Sequence, residues 1–184
     1  MDNAYLTNLC EPSNTILLVI DLQGKIFNLA FNHDRLKARA DQLLRLADLF
    51  EVPVILTEQY PAGLGETDPD LLSRFQALSR PGDRIAKDSF GCLGDGGFVQ
   101  ALNKWADEVG STRGPGEPDR PIDSVVAGIE THICVQQTVL ELARRGYRVV
   151  VLEDCTGGRA EANHLNALSR FQQCGALVSN FESL

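Results

Sequence analysis

Histidine is scarce in this sequence and long apolar runs are missing. The three histidines, His33, His132 and His164, do not stand at ligand spacing to one another, so no metal site is expected from them. The longest apolar run, Ile16 to Ile20, is strand-sized and far short of the ~20 residues of a membrane-crossing helix. The opening stretch, MDNAYLTNLCEPSNT, has neither the basic start nor the apolar segment of a secretory signal. Positive charge is outnumbered: 17 Lys and Arg against 25 Asp and Glu leave a net charge of −8. Nucleic-acid backbones and anionic membranes need a basic surface, so neither is an expected partner. CxxC pairs are also missing. The five cysteines, Cys10, Cys92, Cys134, Cys155 and Cys174, are odd in number and scattered, which excludes a disulfide framework or a zinc ribbon. Free thiols of this kind suit a cytoplasmic chain.

What is present is the pattern of an ordinary globular protein. The 184 residues, 43% apolar and 23% charged, suffice for one domain over residues 1–184 with a substantial core. Residues 15–20 (TILLVI) are a near-continuous apolar run that ends at Asp21, the signature of a strand buried on both faces. Helical spacing follows from Asp34 to Phe50, with Leu36, Ala40, Leu43, Ala47 and Phe50 on one face. Further strands are predicted at 52–57, 83–86, 122–128, 147–152 and 176–179, and helices at 71–78, 98–109, 131–145 and 161–174. The Gly- and Pro-rich stretches 60–70, 91–97 and 111–121 read as loops. Strand and helix alternate throughout. That alternation predicts a three-layer α/β/α sandwich around a six-stranded parallel sheet.

In such sheets, sites form beyond the carboxyl ends of the strands. There the sequence offers Asp21, Lys87 and Cys134: a carboxylate, an ammonium and a thiol. A cysteine attacks as thiolate, and Cys134 falls near a predicted helix start, where the dipole favours an anion. Asp21 is placed to take the thiol proton, and Lys87 to steady the charge. Spacing alone leaves Cys155 and Cys92 open as alternatives, since each also follows a strand. Phe27, Tyr60 and Phe90 follow strand ends and are candidate pocket walls. Gln23 is a candidate to border the same pocket and to orient Asp21 or Lys87, or else a cap of the turn. Arg159 is a candidate for meeting an anionic substrate or forming a surface ion pair.

Three segments carry a resemblance: Asp21-Leu22-Gln23, Lys87-Asp88-Ser89-Phe90 and the run Gly128-Ile129-Glu130-Thr131-His132-Ile133-Cys134-Val135. In order and spacing the chain resembles the isochorismatase-like (cysteine hydrolase) family over nearly its whole length. The resemblance selects Cys134 over Cys155 and Cys92, and implies a catalytic triad of Asp21, Lys87 and Cys134. It also implies a cis peptide at Ile129–Glu130. The amides of Glu130 and Cys134 would then form an oxyanion hole, with Thr131 bracing the turn and bordering the pocket. The implied activity is hydrolysis of a small molecule, at an amide or related non-peptide C–N bond, through a thioester and without a cofactor. A homo-oligomer, dimer or larger, is implied too. Nicotinamidase relatives carry a His- and Asp-based metal site after the second strand. Here that position reads Thr57-Glu58-Gln59-Tyr60-Pro61, so no metal is expected. Isochorismatases proper lack the nucleophilic Cys, so Cys134 argues against their vinyl-ether reaction. The segments TEQYPAGLG and GIETHICVQQT are most similar to the isochorismatase domain-containing branch. The competing reading is a non-catalytic binding or assembly protein that retains a relic site.

Overall fold

The computed structural model describes residues 9–111 and 120–184. Six parallel strands, β1 (Thr15–Ile20), β2 (Val54–Gln59), β3 (Asp83–Lys87), β4 (Asp123–Ile129), β5 (Arg148–Gly157) and β6 (Leu177–Ser179), lie in the order β3-β2-β1-β4-β5-β6. Every pairing between neighbours is parallel. The expected three-layer α/β/α sandwich is the observed architecture.

The strands are apolar on both faces because helices cover both. Alternate residues of β1 show the division. Ile16, Leu18 and Ile20 face one core with Phe98, Val139 and Phe171. These come from α5 (Gly96–Ser111), α6 (Gln136–Arg144) and α7 (Glu161–Gln173). Leu17 and Val19 face the other core with Leu36, Leu43 and Phe75, from α2 (His33–Leu49) and α4 (Pro69–Gln76). The buried stripe of α2 holds Leu36, Ala40, Leu43 and Ala47 as its periodicity predicts, with Leu44 added, whereas Phe50 stands just past the helix end and half exposed. The α4 helix starts at Asp68, whose carboxylate accepts from the amides of Asp70 and Leu71, with Pro69 in the first turn.

Several boundaries depart from expectation. The β2 strand runs on to Gln59, because Glu58 and Gln59 are buried by internal partners rather than lost to solvent. Two short helices, α1 (Gly24–Asn28) and α3 (Pro61–Leu64), occupy stretches too short to show a period. The supposed loop at 91–97 holds a 3-10 turn, Cys92–Gly94, and the start of α5. The α5 helix reaches Ser111, and residues 112–119 of the expected connection lie outside the described residues. The expected helix from Thr131 opens as a π turn, Thr131–Val135, before α6. The largest departure is β5, which extends past 152 to Gly157. Val126 pairs with Val151 and Gly128 with Thr156, so residues 152–155 bulge opposite Ala127. That bulge hides the strand's continuation from periodicity.

β1 and β4 are central neighbours, and their connections leave toward opposite layers. The crevice at their carboxyl ends is therefore the natural site. Gly128 lies there against Ile20, with φ +132, and a Cβ on it would meet the Ile20 carbonyl oxygen at 2.1 Å. Only glycine permits this approach.

Candidate active site

The β1 strand delivers Asp21 just past its last residue, in a left-handed conformation (φ 52) that turns the chain out of the sheet. The Asp21 amide still donates to the Thr57 carbonyl on β2, at 3.1 Å. Its carboxylate is buried. One oxygen accepts from the Thr57 hydroxyl at 2.7 Å, and the other from the Lys87 ammonium at 2.7 Å.

Lys87 is the last residue of β3 and its side chain has no exposed surface. Besides Asp21, Nζ meets the Gln59 side-chain oxygen at 2.8 Å and the carbonyls of Phe90 and Ser89 at 3.2 and 3.3 Å. Burial pulls this ammonium's pKa down. Burial is the largest single influence, but the charge of Asp21 and the smaller favourable contributions together outweigh it, and the net shift is upward. Lys87 is a fixed cation.

Gln59 is the site residue that sequence reading missed. Its Oε1 receives Lys87, and its Nε2 donates to the Asp88 carbonyl at 2.8 Å. Its backbone is gripped by the side-chain amide of Gln23, which donates to the Gln59 carbonyl at 3.0 Å and accepts from the Gln59 amide at 2.6 Å. Gln23 also donates to the Gly65 carbonyl at 2.6 Å. Gln23 thus orients the residue that orients Lys87. It is fully buried, so the expectation that it lines the pocket gives way to this bracing role.

Cys134 belongs to the π turn after β4. The Glu130 carbonyl accepts from the amides of Ile133 at 2.9 Å and Val135 at 3.3 Å, which widens the turn. The Ile129–Glu130 peptide is cis. The Cys134 carbonyl accepts the Thr138 hydroxyl at 2.7 Å. Burial raises the Cys134 thiol pKa most, and the charge and hydrogen bond of Asp21 raise it further against the pull of Lys87. This upward direction, set by burial and Asp21, runs against the helix-end effect expected from sequence.

The two rival cysteines are placed differently. Cys92 lies under the site with no exposed surface, its sulfur 4.0 Å from the Thr57 hydroxyl. Burial pushes its thiol up to about 11, against the pull of Lys87. Cys155 lies in the β5 bulge, packed into the α2-side core.

The other expected pocket residues divide. Tyr60 and Phe90 stand more than half exposed near the site; the Tyr60 amide donates to the Lys87 carbonyl at 2.8 Å. Phe27 is sealed in the α2-side core, because α1 turns it inward. Thr131 is fully buried, with its hydroxyl committed to the Gly157 carbonyl at 2.8 Å and to His164 at 2.9 Å. Both side chains are buried. Glu130 is buried, and its carboxylate accepts from the Arg159 amide and guanidinium at 3.1 Å. Arg159 is thus in an ion pair. Glu58, in the stretch where metal-binding relatives differ, accepts from the Thr67 amide and hydroxyl at 2.7 Å and from Arg84. It ties down the segment after α3.

Asp21, Lys87 and Gln59 are joined by hydrogen bonds into a buried carboxylate–ammonium–amide set, and the Cys134 thiol lies within the electrostatic reach of Asp21 and Lys87. Such a set can pass a proton between sulfur and a leaving group.

Comparison with known proteins gives one consistent result. The family model described as "Isochorismatase domain" matches residues 15–183. The human isochorismatase domain-containing protein 2 is 35% identical over 174 residues, covering 94% of this chain and 74% of that protein. Among solved structures, one described as the MAR1 ribonuclease of Caenorhabditis elegans superimposes with a TM-score of 0.79 at 27% identity. That match covers 95% of this chain and 81% of that one. An octameric hydrolase of unknown specificity from Escherichia coli superimposes with a TM-score of 0.80 at 24% identity, covering 95% and 78%.

Proposed function

The chain belongs to the isochorismatase domain family, and from that premise we propose that it is a cysteine-dependent hydrolase of a small molecule, cleaving an amide or related C–N bond. The observation that carries this reading is the buried Lys87–Asp21 pair at 2.7 Å, with the Cys134 thiol under the influence of both. A solvated surface lysine or a helix-capping aspartate would not be held this way.

In the proposed reaction, Cys134 sulfur attacks the substrate carbonyl as its proton moves to Asp21. The proton needs no prior release to solvent, so a raised thiol pKa is compatible with attack. The Glu130 and Cys134 amides receive the developing oxyanion. Collapse breaks the C–N bond, and the amine leaves with the proton from Asp21, which gives a thioester on Cys134. Water, deprotonated by Asp21, cleaves the thioester to the acid and restores the thiol. Lys87 holds the Asp21 carboxylate in place through both halves, and Gln59 holds Lys87. No cofactor is required.

A small substrate is favoured over a nucleic acid, despite the ribonuclease description of the worm relative. The net charge of −8 disfavours tracking a phosphate backbone, and Arg159 beside the nucleophile turn is paired with Glu130. Among the described residues no helix is long and apolar enough to cross a membrane. The five unpaired cysteines favour a cytoplasmic setting. Exposed Tyr60 and Phe90 beside the site favour a homo-oligomer that covers them.

Turnover of a panel of small amides tests the reading. Cys134→Ala should abolish hydrolysis with circular dichroism unchanged. Full activity in that variant would reject the nucleophile. A panel that yields no thiol-dependent turnover would favour a binding protein.

A further inference from the structure

We infer that His164 is a positioning residue for the nucleophile turn, acting through a single hydrogen bond to Thr131. The inference deepens the hydrolase reading and rests on it.

The argument starts from one hydroxyl. Thr131 Oγ1 lies 2.8 Å from the Gly157 carbonyl and 2.9 Å from His164 Nδ1. A carbonyl only accepts, so the hydroxyl's one hydrogen goes to Gly157. The oxygen must then accept from His164, which puts the imidazole proton on Nδ1 and leaves Nε2 bare in the neutral ring. Burial, aided by Arg35 and opposed by Glu161, lowers the His164 pKa and keeps that ring neutral. The ring is itself held. It sits 5.5 Å from the Phe31 ring, on α7, whose Ala167, Leu168 and Phe171 are locked in the core. Thr131 is therefore pinned from two elements, β5 through Gly157 and α7 through His164.

Thr131 follows Glu130 and opens the turn that carries Cys134. The turn is held at both ends. Thr138 holds the Cys134 carbonyl from the α6 side, at 2.7 Å. His164 holds the other end, where the Glu130 amide of the proposed oxyanion hole lies. Removing the His164 donor should therefore disturb the oxyanion donors while leaving the sulfur in place. A residue that merely supports the fold would disturb both together.

Two thiol reagents separate these cases. Alkylation of Cys134 by iodoacetamide is displacement at a saturated carbon and develops no oxyanion. Acylation by p-nitrophenyl acetate passes through one. His164→Leu should lower the Cys134 acylation rate about ten-fold or more, since small misplacements of reacting groups cost that much. Its alkylation rate should stay close to the parent's. Thr131→Val should do the same. His164→Asn, whose side-chain N–H overlays the Nδ1 position, should recover most of the acylation rate. Nitrogen chemical shifts of the parent should show His164 as the Nδ1–H tautomer.

Acylation unchanged in both His164→Leu and Thr131→Val, or an Nε2–H tautomer in the parent, would overturn the role. So would acylation and alkylation falling in parallel without recovery in His164→Asn. A parent protein that alkylates at Cys134 but never acylates there would instead reject the hydrolase reading, and this role with it.

Discussion

Replacing Lys87 with methionine is the sharpest physical test of the site. The substitution keeps the length and apolar stem of the side chain and deletes only the ammonium. It leaves the buried Asp21 carboxylate without its cation, and the Gln59 oxygen and the carbonyls of Ser89 and Phe90 without their donor. Breaking a buried ion pair by removing one partner costs about 3–5 kcal/mol, because the other charge stays desolvated and uncompensated. For a domain of this size that corresponds to a fall in melting temperature of about 6–20 °C. Thermal and urea unfolding followed by circular dichroism would read it. The pair's pH sign is also set. Lys87 has a raised pKa in the fold, so its stabilisation is complete below its ordinary value of 10.5 and is lost as pH rises through the folded value. The parent should thus lose stability at strongly alkaline pH, and Lys87→Met should not show that loss. Adding Asp21→Asn to Lys87→Met should recover part of the deficit, with a coupling of about 0.5–3 kcal/mol. A Lys87→Met protein that melts within a degree or two of its parent would refute the reasoning.

Two further outcomes follow from the same geometry. Gln59→Leu removes an acceptor from Lys87 and a donor from the Asp88 carbonyl, and should cost about 1–3 kcal/mol by urea midpoint, with turnover reduced as Lys87 loosens. Glu58 has a lowered pKa: burial would raise it, but Thr67 and Arg84 together outweigh burial. Its stabilisation is therefore present above its ordinary 4.5 and fades as pH falls through the folded value; Glu58→Gln should flatten melting temperature against pH in that acid range, and an unchanged slope would count against the tie.

Much of the fold was legible because buried parallel strands write themselves as apolar runs. TILLVI, ending at Asp21, needs no partner to be recognised, and strand ends in an alternating α/β chain nominate their own site residues. Legibility failed where polar residues are buried by one another. Glu58 and Gln59 look like loop, yet they finish β2, because Thr67, Arg84 and Gln23 satisfy them from distant parts of the chain. It failed again at the β5 bulge, where the two-residue period breaks before Cys155, and at the π turn, which has no sequence period of its own. The upward shift of the Cys134 thiol was hidden from the sequence for a related reason. A helix start and a lysine argue for an anion, but the net effect depends on burial and on how near Asp21 lies.

The close approach at Gly128 has a further consequence for how this site can change over evolution. The spacing between the acid on one central strand and the sulfur beyond the other is governed by a side chain that is missing. Even one methyl at that position would wedge the two strands apart and stretch the relay at its middle. Residues around the rim can be exchanged without touching this contact, but the seam between the strands that carry Asp21 and lead to Cys134 leaves room for hydrogen alone.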